Sequence, residues 1–160
     1  MKSFSGVGRG ALSLAIVVVA ALSTSATIQA PASASDPGAS AARTIDGTDT
    51  AHLHLIHQDE SLLYEEGSAS GSLPGRMRAK LTIGSLFRGS CTIYTADGSI
   101  VGQGSATPHG SGRYQSFSGA LLITSGSGRY DHIHGRTRLY GTFDRRTFSL
   151  IVQTTGRLSY

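Results

Sequence analysis

From residue 50 onward, apolar and polar residues alternate one by one instead of recurring at helical spacing. Period-two alternation is the mark of strands with one buried face. In Ala51-His52-Leu53-His54-Leu55 the leucines face one way and the histidines the other. Met77, Ala79, Leu81 and Ile83 alternate with Arg76, Arg78, Lys80 and Thr82, and Cys91, Ile93 and Thr95 with Thr92 and Tyr94. Further strands are predicted over 99–106, 117–124, 132–140 and 148–155. Turn residues separate them: Pro74-Gly75, Ala96-Asp97-Gly98, Pro108-His109-Gly110 and Asp144-Arg145-Arg146. Short strands at regular spacing predict an all-β sandwich or barrel. A barrel is favoured because closure removes the exposed sheet edges that promote aggregation.

The alternation also assigns faces. His132, His134, Arg136, Arg138 and Tyr140 share one face of their strand, and Ile133, Gly135, Thr137 and Leu139 the other. Charged residues are rarely buried without partners, so the arginine face is expected outside. Leu150 and Val152 should face Ile133 and Leu139, together with either Ala120 and Leu122 or Leu121 and Ile123. The candidate lining set is Leu122, Ile133, Leu139, Leu150 and Val152.

The N-terminal third has a different pattern. Lys2 and Arg9 precede Ala11–Leu22, an apolar run followed by small residues. A membrane span needs roughly 20 apolar residues, and this run is shorter. A basic start, a short apolar run and a small-x-small site such as Ala32-Ser33-Ala34 describe a secretory signal peptide. The expected organisation is a signal over 1–34, a flexible leader over 35–49 and a barrel domain over 50–160. It places the chain outside the cell, with no stable membrane insertion after cleavage.

Composition then changes the picture in two ways. The 160 residues include 21 Gly and only 15% charged residues, which excludes a highly charged disordered chain. Charge is also unevenly placed: residues 36–66 carry seven acids and one base, residues 76–160 eleven bases and three acids. A basic surface can attract anionic polymers. The bases here lie along strands and turns without interleaved aromatics, so nucleic acid is not an expected partner.

Gly110-Ser111-Gly112-Arg113-Tyr114, with Gly119 after it, is echoed 16 residues later by Gly126-Ser127-Gly128-Arg129-Tyr130, with Gly135 after it. Each copy is expected to open a strand, its Tyr capping the core. A nucleotide-binding glycine motif would need a helix next, and here a strand follows. The segment Leu121–Gly135 resembles the pattern shared by allene oxide cyclases and dirigent proteins, in which a strand ending in Thr leads into Gly-x-Gly-x-aromatic, with a Gly five residues later. Asp97–Gly104 is similar to their glycine-flanked strand, and Phe148–Leu158 to their final one. The resemblance implies an eight-stranded antiparallel β-barrel with a hydrophobic cavity, in a secreted bacterial member that forms homo-oligomers. It carries over Gly126, Gly128, Tyr130 and Gly135 as structural positions. The cyclases hold substrate with a buried glutamate. Glu65 or Glu66 is the candidate here, in an acidic segment that reads as exposed.

Other chemistry is weaker. If the strands bearing His52 and His54 and His132 and His134 paired, four imidazoles could converge on a metal. No carboxylate or Cys completes a ligand spacing, so no metal and no cofactor is expected. No Gly-x-Ser-x-Gly elbow marks a hydrolase nucleophile. Cys91, the single cysteine, reads as a small buried hydrophobe. The expected function is non-covalent binding or steering of a small apolar molecule. The alternatives are an isomerase or cyclase of allene oxide cyclase type, and a β-prism-like lectin using Asp131 or Asp144.

Overall fold

The computed structural model describes residues 43–160. The predicted signal over 1–34 and most of the leader lie outside the described residues. Eight strands follow in chain order: β1 Thr44–Asp59, β2 Leu62–Gly71, β3 Gly75–Thr82, β4 Phe87–Thr95, β5 Gly98–His109, β6 Tyr114–Gly126, β7 His134–Asp144 and β8 Ser149–Ser159. Each pairs antiparallel with the next, and β1 also pairs with β8, so the sheet is a closed barrel. The all-β, eight-stranded antiparallel barrel expected from the sequence is the fold. Strand β1 begins at Thr44, so residues 44–49, expected in the leader, are barrel wall. Their pairing with 154–159 is what closes the ring. Strand β2 had no clean alternation in the sequence because Glu65 and Glu66 interrupt it.

Register places one row of residues around the whole ring. It runs from Leu55 through Glu65, Ala79, Cys91, Gly102, Ile123, Gly135 and Leu158 back to Ile45 on β1. The row returns ten residues from its start, so the strands are staggered and must tilt, by about 35–45° in closed barrels. Every residue of this row points inward. β-Bulges interrupt the ladders between Leu55 and His57 and between Val101 and Gly102. Each adds a residue to one strand and sharpens the local bend.

The two ends of the barrel close differently. At one, Phe87, Phe117, Phe143 and Phe148 form a chain of ring contacts with centroids 5.6–6.1 Å apart. At the other, Gly128–Tyr130 forms a 3-10 turn that brings Tyr130 into the core against Tyr160, centroids 5.7 Å apart. Gly128 has φ +65°, and a Cβ there would stand 2.4 Å from the Asp97 carbonyl oxygen. The glycine-motif echo is therefore not repeated in space. The first copy is a hairpin turn with Tyr114 63% exposed at the start of β6, its ring under Arg113. Only the second inserts its tyrosine, because its turn folds across an open barrel end.

Gly141 shows how tightly the wall is packed. A Cβ there would stand 2.0 Å from the Ile151 carbonyl oxygen and 2.7 Å from Phe117 Cζ. Overpacking of this kind costs about 1–3 kcal/mol. Gly141→Ala is expected to lower the urea midpoint by a destabilisation of about 2 kcal/mol or more with an unchanged m-value. A midpoint within error of the parent would contradict this packing.

Candidate functional site

The barrel interior is the site the fold builds. Leu63, Glu65 and Ala69 on β2 share the inward parity of Met77, Ala79 and Leu81 on β3 and of Cys91 and Ile93 on β4. A cavity of about 100 Å³ lies among Ala51, Leu53, Ala69, Met77, Leu121 and Val152, with Phe87 and Phe117 toward the aromatic end. Small residues create it. Ala51, Ala69, Ala79, Gly104 and Ala106 all line it, and each holds less volume than the space between facing walls. An eight-stranded barrel is just wide enough to be filled by side chains or to hold one small ligand.

Of the predicted lining residues, Leu139, Leu150 and Val152 line this cavity. Ile133 is buried at 1% exposure but precedes β7 and packs under Gly126 at the barrel end, so it plugs the barrel rather than lining the cavity. Leu122 is 52% exposed. Leu121 and Ile123 take the inward parity on β6, because Leu121 and Ile123 stand level with inward Gly104 and Gly102 on β5. Among the motif glycines, Gly119 and Gly126 lie where backbones approach closely. Gly135 has φ +150° beside Leu158, whereas Gly110 and Gly112 face open space.

The residue that sequence reasoning misplaced is Glu65. It is 1% exposed, and neither carboxyl oxygen has a hydrogen-bond partner. Its neighbours across the ladders are Leu55 and Ala79, the latter a lining residue of the cavity. Burial among apolar groups pushes its carboxyl up to about 8, so the acid is protonated at neutral pH. The available signal was its two-residue spacing from Leu63, which two adjacent acids obscured. Its neighbour Glu66 faces outward and binds Arg76 and Arg78, which hold it below the usual carboxylate range.

A second buried carboxyl, Asp49, lines the cavity six residues along β1 from Leu55, roughly 20 Å from the level of Glu65. One of its oxygens accepts the Leu73 N–H at 2.6 Å, which ties down the β2–β3 turn. Burial raises this acid, opposed by the backbone hydrogen bonds from Leu73 and Ser72. Thr137 Oγ1 is the other buried polar atom without a partner among the described residues. Cys91 is a free, buried thiol lining the cavity, and burial pushes it up to about 11, so it is a poor nucleophile.

The histidines do not converge. β1 pairs with β2 and β8, and β7 with β6 and β8, so β1, with His52 and His54, is no neighbour of β7, with His134, and His132 lies in the turn before β7 rather than on the strand expected from 132. His52 stands beside Ser68 and Ile151, and His54 beside Glu66. The β-prism expectation also fails, because the strands form one closed sheet. Of its candidate aspartates, Asp144 is held by Arg113 and the Arg146 N–H. No family model matches the chain, and neither does any curated protein or solved structure.

Glu65 makes stability depend on pH with a definite sign. The folded state keeps the proton up to about pH 8, while an exposed glutamate releases it near 4.5. Between these values the native state binds more protons, so stability falls as pH rises, and levels off above about 8. At about 1.4 kcal/mol per unit the total is on the order of 5 kcal/mol. Glu65→Gln is expected to flatten the urea stability profile between pH 5 and 8. A parent profile that is already flat there would show that the carboxyl is not isolated.

Proposed function

We propose that the protein is a secreted β-barrel that binds a small apolar molecule non-covalently inside the barrel, in the manner of the allene oxide cyclase and dirigent group it resembles. The observation that carries this reading is the apolar cavity of about 100 Å³ in the interior. An apolar protein cavity of about 150 Å³ stays dry and takes up benzene or xenon, so the ligand class is a single ring or a short branched chain. Such a ligand gains by leaving water at roughly 25 cal/mol per Å² and needs no reactive side chain.

Glu65 favours a second reading, an isomerase or cyclase. A protonated carboxyl buried behind the cavity wall, one ladder position from the lining residue Ala79, is a general acid with a raised pKa. A bound molecule that reaches past Ala79 would take this proton on an epoxide or carbonyl oxygen, and the acid would recover one when the product forms. No nucleophile or cofactor is consumed. Preorganisation of the substrate against the walls would supply the rest of the rate.

Two measurements test these readings. Native mass spectrometry of protein secreted into its own medium is expected to retain a co-purifying apolar molecule. Benzene added to the emptied protein should shift side-chain NMR signals of Leu150 and Val152, and Ala106→Leu, which fills the cavity, should weaken that binding by about tenfold or more. If no molecule co-purifies and benzene leaves those signals unmoved, the binding reading falls, and the isomerase reading with it. If apolar epoxides are converted, Glu65→Gln should abolish turnover while benzene affinity changes less than about twofold. Equal turnover in the variant would remove the isomerase reading alone.

A further inference from the structure

The outer face of the barrel carries a groove of about 610 Å³ across β3, β4 and β5. Its polar lining is Lys80, Thr82, Arg88, Ser90, Gln103 and Ser105. Register sets these side by side: Lys80 opposite Ser90, Thr82 opposite Arg88, Arg88 opposite Ser105 and Ser90 opposite Gln103. Gly89 and Gly104, which are paired across β4 and β5, lie between these outward residues and carry the inward parity. One end is bounded by Leu62 and Leu86. At the β2 side Tyr64 stands opposite Lys80, whose Nζ lies 5.2 Å from the ring centroid.

Charge in this groove is uncommitted. Arg76 and Arg78 are held by Glu66, Arg113 by Asp144, Arg129 by Asp97 and Arg157 by Asp46. Among the described residues neither Lys80 nor Arg88 has an acidic partner, and no carboxylate lines the groove. Two fixed cations are thus surrounded by neutral hydroxyl and amide groups, with one aromatic ring at the rim.

We propose that this groove binds an anionic glycan, a hydroxyl-rich sugar chain bearing carboxylate, sulfate or phosphate groups. Lys80 and Arg88 take the anionic substituents, Arg88 through its forked donors. Thr82, Ser90, Gln103 and Ser105 exchange hydrogen bonds with ring hydroxyls as both donors and acceptors. Tyr64, beside the groove, holds the Lys80 ammonium over its ring. Lys80, Arg88, Gly89, Ser90 and Gly104 border both this groove and the cavity, but the groove's recognition of an anion does not depend on the interior reading.

The test measures binding of fluorescent dextran sulfate by the described barrel in its full chain, at about 0.15 M salt, where distant charges are screened. Dextran sulfate is expected to bind, and uncharged dextran to bind at least about tenfold more weakly. Lys80→Gln with Arg88→Gln should weaken binding by about tenfold or more. Arg136→Gln with Arg138→Gln removes the same charge from the exposed face of β7, outside the groove, and should change binding less than about twofold. All four positions are exposed, so both variants should melt at the parent temperature. Equal losses from the two double variants would mean that net charge attracts the polymer, and the groove would be discarded. Uncharged dextran binding as tightly, or single-stranded DNA binding as tightly with the same dependence on Lys80 and Arg88, would overturn the glycan assignment. So would no binding of dextran sulfate at all.

Discussion

Everything in this barrel depends on the pairing of β1 with β8. Ten residue pairs, from Thr44 with Ser159 to Leu53 with Leu150, join the first strand to the last. Backbone N–H and C=O groups on both strands then have partners, and no sheet edge is left to recruit another chain. Closure also fixes the interior. Eight strands and a stagger of ten residues enclose a space that one layer of side chains nearly fills. Whether any room remains is decided by the size of those side chains. Phenylalanines crowd one end, with Phe87 and Phe117 bordering the cavity, and Ala51, Ala69, Ala79 and Ala106 are small enough to leave it open.

Closure explains the unusual position of Glu65 as well. In an open sheet an inward carboxylate could lean toward an edge and find water. In a ring it has Leu55 on one side and Ala79 on the other, and nothing to bond. The proton is retained because the cost of burying the charge exceeds the cost of binding a proton at neutral pH. A residue that destabilises the fold as the pH rises is costly to keep. The adjacent Glu66, one step along and on the other face, is ordinary: it binds two arginines in water. The contrast between neighbouring identical residues is entirely a matter of parity.

The same thin wall has two chemically opposite faces. Around Gly89 and Gly104 the apolar cavity and the cationic outer groove share bordering residues. Gly104 carries the inward parity of Leu121, so its missing side chain makes room in the cavity. The interior selects by exclusion of water, the exterior by charge and hydrogen bonding. Side chains on one strand alternate between them, yet Lys80, Arg88, Gly89, Ser90 and Gly104 border both.

The sequence by itself determined the class of fold and the faces of most strands. Strict alternation in β1, β3, β4 and β7 assigned inside and outside, because a one-residue slip would bury the arginines of β7. It also determined that Leu139, Leu150 and Val152 look inward. It did not determine β2, where two acids broke the pattern, nor the start of β1, where Thr44–Asp49 has little apolar content to declare a strand. Leu122 was misplaced because Leu121, Leu122 and Ile123 are all apolar, and only pairing with β5 decides which of them turns inward. The cavity, the isolation of Glu65 and the outer groove were decided by tertiary structure alone. Each depends on which residues meet across strands far apart in the chain, and on how closely the ring brings opposite walls together. Local alternation carries neither quantity.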